Sequence, residues 1–148
     1  MRNSVVNHSQ NVIGFDYGTK KIGIAVGQTV TCTSRGLRQI NVYNGEPNWE
    51  EIDSIIKDFN PFALVIGHPL NSDGKSQPIT LAAESFAKAL QTHYDLPVYC
   101  IDERLSTVEA RRELFSTGGY KALSKKNIDM LSAQIILQEW LDRRRDNG

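Results

Sequence analysis

The segment from Val12 to Val26 constrains this chain more than any other. Val12-Ile13-Gly14-Phe15 is a short apolar run, of the kind a buried strand shows. Just after it, Ile22, Ile24 and Val26 alternate with Gly23 and Ala25, the period-two mark of a second strand. Between them stands Asp16-Tyr17-Gly18-Thr19-Lys20, a tight-turn composition. A hairpin is therefore expected near the start, with Asp16 ending its first strand.

The rest of the chain must extend the sheet that this hairpin begins. Leu37 to Val42 reads as a weaker third strand. Trp49, Ile52, Ile55, Ile56 and Phe59 fall at helical spacing. Asn48 is placed to cap that helix, with Glu51 at the capping-box position. Asn60-Pro61 stops it, and Ala63-Leu64-Val65-Ile66 reads as a central strand. A loop holding Asn71, Asp73 and Gly74 follows, then a helix over 81–90 with Phe86 inward. Pro97 to Ile101 forms the fifth strand and runs into Asp102-Glu103. Ser106-Thr107-Val108-Glu109 opens a third helix that Gly118-Gly119 ends. Ile128, Leu131, Ile135 and Leu141 mark a stripe on a last helix. Hairpin-linked strands followed by strand–helix alternation predict an α/β fold, a five-stranded mixed sheet with helices on both faces.

At 148 residues the chain suits one domain. The polar stretch 1–10 reads as a flexible tail, and 11–148 as a single domain. No run approaches the roughly 18 apolar residues of a membrane span, so no membrane partner is expected. Cys32 and Cys100 are the only cysteines, too few for a disulfide framework or a zinc cluster. A reducing cytoplasm fits. Formal net charge is +0, which argues against a general polyanion binder. The charge is nonetheless sorted along the chain. From Arg104 to Lys126 six cations face two anions, whereas from Glu46 to Asp58 five anions face one cation.

In an open α/β sheet, ligands gather at the carboxyl ends of strands. Asp16 ends the first strand, Asn71 and Asp73 follow the fourth, and Asp102 and Glu103 end the fifth. Asp129 lies near the start of the last helix, with Ser132, Ala133 and Ile136 on its own face. Small residues there let the helix approach the sheet and bring Asp129 over the first strand. Converging carboxylates suit Mg²⁺ or Mn²⁺. Two such ions can clamp the attacking and leaving oxygens of a phosphodiester displacement. Lys20 and Lys21, just past Asp16, and Arg104, beside Glu103, are placed to hold phosphates. Taken singly, each acid has an ordinary explanation as a turn former, a solvated group or a helix N-terminal acid.

Four segments carry a family resemblance. Gly14 to Ala25 resembles the opening motif of the YqgF (RuvX-like) family. Ile66-Gly67-His68-Pro69-Leu70-Asn71-Ser72-Asp73-Gly74 resembles its second motif, Asp102-Glu103-Arg104-Leu105-Ser106-Thr107 its third, and Asp129 to Leu137 its last. The resemblance spans Val12 to Leu141. It implies an RNase H-like fold and a nuclease acting on pre-16S rRNA, or else a Holliday junction resolvase acting on branched DNA. It also implies Asp16, Glu103 and Asp129 as catalytic, metal-binding acids, holding one or two Mg²⁺ or Mn²⁺ ions. Strand alternation leaves Asp102 and Glu103 as rivals; the resemblance favours Glu103. His68 stands where the family commonly has an apolar residue and Ser72 where it has Met; we read His68 as a loop anchor.

The expectation is therefore a cytoplasmic metal-dependent nuclease, monomer or weak homodimer. Lys20, Lys21 and Arg104 would contact substrate, and Arg111 and Arg112 would extend the phosphate track. A non-catalytic nucleic-acid-binding module is the rival of another class. A sugar-kinase or chaperone-type ATPase shares such a core but closes its cleft with two domains, for which this chain is too short.

Overall fold

The computed structural model describes residues 10–68, 78–102 and 125–147. The strands are β1 (Asn11–Tyr17), β2 (Lys21–Gln28), β3 (Thr33–Tyr43), β4 (Glu46–Pro47), β5 (Ala63–His68) and β6 (Val98–Asp102). The helices are α1 (Trp49–Phe59), α2 (Pro78–Tyr94) and α3 (Lys125–Asn147). The strands form one mixed sheet in the order β4-β3-β2-β1-β5-β6. β1 pairs antiparallel with β2 and parallel with β5, and β5 pairs parallel with β6. Among the described residues the expected architecture holds, with six strands in place of five; the expected third helix, opened by Ser106-Thr107-Val108-Glu109, lies outside them.

The sixth strand has a local cause. Asn44 and Gly45 both have positive φ, 52° and 79°, the condition of a two-residue type I′ hairpin turn. Glu46 and Pro47 return against Tyr43 and Val42. Proline donates no hydrogen bond, so it is confined to an edge such as this one. The Asn-Gly pair announces the turn. The returning strand is too short to show alternation, so its sequence pattern is silent.

The other boundaries follow from caps and pleats. The Asn48 side chain accepts a hydrogen bond from the Glu51 backbone N–H at 3.3 Å. Asn60 ends α1 in the left-handed region, its N–H bonded to the Ile56 carbonyl at 2.8 Å. β1 runs further than its apolar core suggests: Asp16 pairs with Gly23 and Tyr17 with Ile22. Asp16 is therefore a strand residue, and the pleat rather than a turn sets its direction.

Two apolar layers cover the sheet. Ile13, Phe15, Tyr17, Ile22, Ile24, Leu64 and Ile66 pack with Ile52 and Ile55 of α1 and Ala83, Phe86 and Leu90 of α2. Val12, Ala25, Ala63, Val65 and Ile101 pack with Ala133, Ile136, Leu137, Trp140 and Leu141 of α3. Burying each large side chain of this kind contributes roughly 1.5–3 kcal/mol. The packing face of α3 differs from the predicted stripe. Leu131 and Ile135 are only half-buried, while Ser132, Ala133, Ile136 and Leu137 are buried. Leu141 belongs to both.

Candidate metal and nucleic-acid site

The parallel strands β1, β5 and β6 place their carboxyl ends on one edge of the sheet. Asp16 lies at that end of β1, and His68 of β5 pairs in register with Asp102 of β6. Along β1, Ile13, Phe15 and Tyr17 enter the α1–α2 layer. Alternation gives Val12, Gly14 and Asp16 to the α3 face. Asp16 is half-buried there.

Close approach of α3 decides what stands beside Asp16. A Cβ on Gly14 would lie 2.8 Å from Leu137 Cβ and 3.3 Å from the Ala133 carbonyl oxygen. A Cβ on Gly27 would lie 2.9 Å from Leu137 Cδ2 and 3.0 Å from Leu141 Cδ1. Gly27 pairs with Val12, two residues back along β1 from Gly14. Residue numbers in α3 therefore rise as those in β1 fall, and the helix runs antiparallel to the strand. Residue 129 lies one turn, about 5.4 Å, before Ala133. Asp16 lies two residues, about 6.7 Å, beyond Gly14. The backbone thus brings the Asp16 and Asp129 positions to one level at the same edge.

Polar contacts fix α3 along its axis. Gln134 Nε2 donates to the Ser34 carbonyl at 3.0 Å, and Ser34 Oγ donates to Gln138 Oε1 at 2.7 Å. Gln138 Nε2 donates to the Cys32 carbonyl at 2.9 Å and to Asp142 Oδ1 at 3.0 Å. Each bond of this kind nets only about 0.5–1.5 kcal/mol, but together they resist sliding of the helix along β3. Sequence reading gave these glutamines no role. Their i, i+4 spacing beside the buried face was the available signal.

The predicted cations divide between described and undescribed residues. Lys20 is exposed in the β1–β2 turn, and its carbonyl accepts from the Val42 N–H at 2.8 Å. Lys21 opens β2, exposed and paired with Asn41. It alternates with Ile22 and so shares the α3 face with Gly23 and Asp16. Glu103, Arg104, Arg111 and Arg112 lie outside the described residues, as do Asn71, Ser72, Asp73 and the 1–9 part of the predicted tail. Among the described residues, no three of His, Cys, Asp or Glu cluster closely enough to hold a metal. Of the expected trio, the structure describes the Asp16 side chain and the backbone position of Asp129.

No described helix is long and apolar enough to cross a membrane. Burial pushes the Tyr17 phenol above its ordinary range, with Glu46 adding to the effect. Tyr17 thus stays neutral beside Asp16, and its ring lies 5.2 Å from that of Phe86 in the opposite layer.

Comparisons with known proteins bear on this edge. The sequence profile described as RuvX, Holliday junction resolvase, matches residues 10–143. A protein of Glaesserella parasuis named "Putative pre-16S rRNA nuclease" is 48% identical over 136 residues, covering 92% of this chain and 99% of that one. One of Haemophilus ducreyi with the same name is 50% identical over 131 residues, covering 88% and 95%. Among solved structures, Thermus thermophilus RuvC in complex with a Holliday junction aligns with TM-score 0.55 at 17% identity, over 92% of this chain and 96% of that one. The Fowlpox virus resolvase bound to junction DNA aligns with TM-score 0.57 at 10% identity, over 90% and 98%. At such identities these two structures speak for the fold, which is RNase H-like.

Proposed function

This chain belongs to the family described as RuvX, Holliday junction resolvase, and from that premise we propose that it is a nuclease that processes pre-16S rRNA in the cytoplasm. Relatives at 48% and 50% identity bear the pre-16S rRNA name over nearly their whole length. The observation that carries the site is the glycine-lined contact of α3 on β1, which aligns the Asp16 and Asp129 positions.

In this reading Asp16, Glu103 and Asp129 hold one or two Mg²⁺ or Mn²⁺ ions. The family resemblance, and not the described structure, favours Glu103 over Asp102. Carboxylate oxygens suit hard divalent cations. Such an ion, when bound, lowers the pKa of water and offsets charge on the leaving oxygen. The chain's own residues do the rest. Half-buried on a strand, Asp16 presents a fixed anionic donor. Lys20 and Lys21 hold the phosphates beside the cut, and Arg104, Arg111 and Arg112 extend that track along the strand. Water is the nucleophile, so no serine or cysteine is required.

The test is cleavage of a pre-16S rRNA 5′ fragment and of a synthetic four-way junction, with Mg²⁺ or Mn²⁺, by wild type and Asp16→Asn. The expected result is cleavage of the RNA, reduced at least about 100-fold in the variant. Losing a direct ligand should exceed the 10–100-fold effect typical of outer-shell partners. Equal cleavage by the two proteins would refute the role of Asp16. Cleavage of branched DNA alone would replace the rRNA reading with the resolvase activity in the family's description.

A further inference from the structure

Four large apolar residues stay exposed among the described ones: Val30, Tyr43, Leu81 and Tyr99. Of these, Tyr99 is the one that joins a cluster of described rings. It is 43% exposed on β6, and its ring lies 5.3 Å from that of Trp140 on α3. Trp140 in turn lies 6.4 Å from the half-buried Phe62, just before β5. Arg144, one turn after Trp140, sets its guanidinium 5.3 Å from the Phe62 ring and 5.5 Å from the Trp140 ring. Register ties this patch to the proposed metal edge. Tyr99 pairs with Val65, and Val65 with Gly14. Ile101 enters the α3 layer, so alternation puts Tyr99 on the α3 face, where Asp16 also lies. Tyr99 is therefore two strand spacings, about 10 Å, across the sheet from Gly14, and Asp16 is two residues, about 7 Å, further along β1.

The chemistry of the patch is that of a stacking platform with a cation beside it. Glu139 holds Arg143 at 2.7 Å, and Asp142 lies 3.9 Å from Arg145. Arg144 has no ion-pair partner among the described residues. A guanidinium seated on aromatic rings is held in place and keeps its donors for a phosphate. An exposed tyrosine ring is covered well by a flat apolar surface, and every nucleobase has one. An apolar partner would cover Tyr99 but leave the guanidinium unanswered. A single nucleic-acid strand answers both, base to ring and phosphate to cation. β6 is the outermost strand of the described sheet, so its flank is open to such a strand. The Phe62 N–H bonds the Asn11 carbonyl at 3.0 Å, which places the Arg144 end of the patch further from Asp16 than Tyr99 is.

We propose that the Tyr99–Trp140–Arg144 patch binds the single-stranded part of the RNA substrate beside the cleavage point, with one base stacked on Tyr99 and its phosphate held by Arg144. The proposal rests on the nuclease reading for the identity of the strand, but its binding is measured apart from catalysis. A fluorescein-labelled hexa-uridylate is titrated into the intact protein in EDTA, at several low salt concentrations. Tyr99→Ala should weaken the complex roughly tenfold, the scale of one base–aromatic stack, with the salt slope unchanged. Tyr99→Phe keeps the ring and should bind like wild type. Arg144→Gln should lower the salt slope by about 0.7, the share of one phosphate contact on a single strand. In the cleavage assay Tyr99→Ala should raise KM and leave kcat unchanged, as loss of uniform binding does.

Equal affinity of wild type and Tyr99→Ala, including the case in which neither binds, overturns the proposal. Tyr99→Leu serves as the second variant. It keeps apolar packing on Trp140 but has no π face, so it must lose affinity as Tyr99→Ala does while its melting temperature stays close to that of wild type. Wild-type affinity in Tyr99→Leu overturns the stacking role. Self-association that Tyr99→Ala abolishes, with oligonucleotide affinity unchanged, overturns the proposal in favour of a second copy of the chain. The nuclease reading is judged separately, by Asp16→Asn in the cleavage assay.

Discussion

The two faces of the sheet solve the same packing problem in opposite ways. Under α1 and α2 the layer is built from bulk: Phe86 meets Phe15 at 5.5 Å, Tyr17 at 5.2 Å and Trp49 at 5.9 Å between ring centroids. The Trp49 indole stacks on His93 at 3.9 Å with only 5° between the planes. Under α3 the layer is built from absence: Gly14, Gly27 and Gly36 on the strands, and Ser132 and Ala133 on the helix. Bulk gains more apolar area, whereas small residues gain proximity. The face that carries Asp16 is the one that gave up bulk. That is where the proposed site needs a nearby helix backbone to bring a second acid.

This contrast can be broken most forcefully at Phe86. Phe86→Ala is expected to cost about 3–5 kcal/mol of stability, read by urea unfolding. Cleavage per folded molecule should stay within a few-fold of wild type. Gly14→Ala should cost less, about 1–3 kcal/mol from overpacking, because Leu137 Cβ and the Ala133 carbonyl cannot swing aside. Its cleavage per folded molecule should nevertheless fall further than that of Phe86→Ala. The reverse order of activities would erase the division of labour between the faces.

Gly27→Ala sharpens the comparison within one face. The atoms it would crowd, Leu137 Cδ2 and Leu141 Cδ1, end flexible side chains. It should therefore destabilise less than Gly14→Ala and leave cleavage nearly intact. If the two variants lose equal stability in the same unfolding assay, the backbone approach at Gly14 is not special.

The smallest effect is expected on the bulky face, at alkaline pH. Burial first, and then the hydrogen bond to and charge of Asp53, push the Tyr94 phenol above its ordinary value of 10.0. Above pH 10 the unfolded chain releases a proton that the folded one keeps, so stability falls as pH rises. This contribution is whole below pH 10 and lost above it. Tyr94→Phe should flatten the decline of melting temperature above pH 10. An unchanged slope would assign the decline to other groups.

Much of this was legible in the sequence, for identifiable reasons. Asn48 capping α1, the alternation of β2 and the inward Phe86 are local signals, and the structure keeps them. The α3 face was legible in part. Ser132, Ala133 and Ile136 share a face with Asp129, and the first two are small, but Leu131 and Ile135 carry the louder apolar stripe. Contact with a glycine-rich strand overrode that stripe, since a helix seated on Gly14 and Gly27 is placed by fit and not by side-chain size. The placement of Lys21 opposite Asn41 was not legible at all. It depends on the register of β3 on β2, which carries an irregularity between Ile24 and Ala25, and no single segment encodes that.

The order of elements along the chain has a consequence in time. Among the described residues β1 is the first strand and α3 the last helix, and α3 supplies the cover of the face where Asp16 lies. A nascent chain emerging from a ribosome exposes β1 long before α3 exists to close over it. Until then half of the core is missing and Asp16 stands without the helix that carries Asp129. This topology withholds the cover of the Asp16 face until α3 has been synthesised, so the two faces of the sheet close at different times.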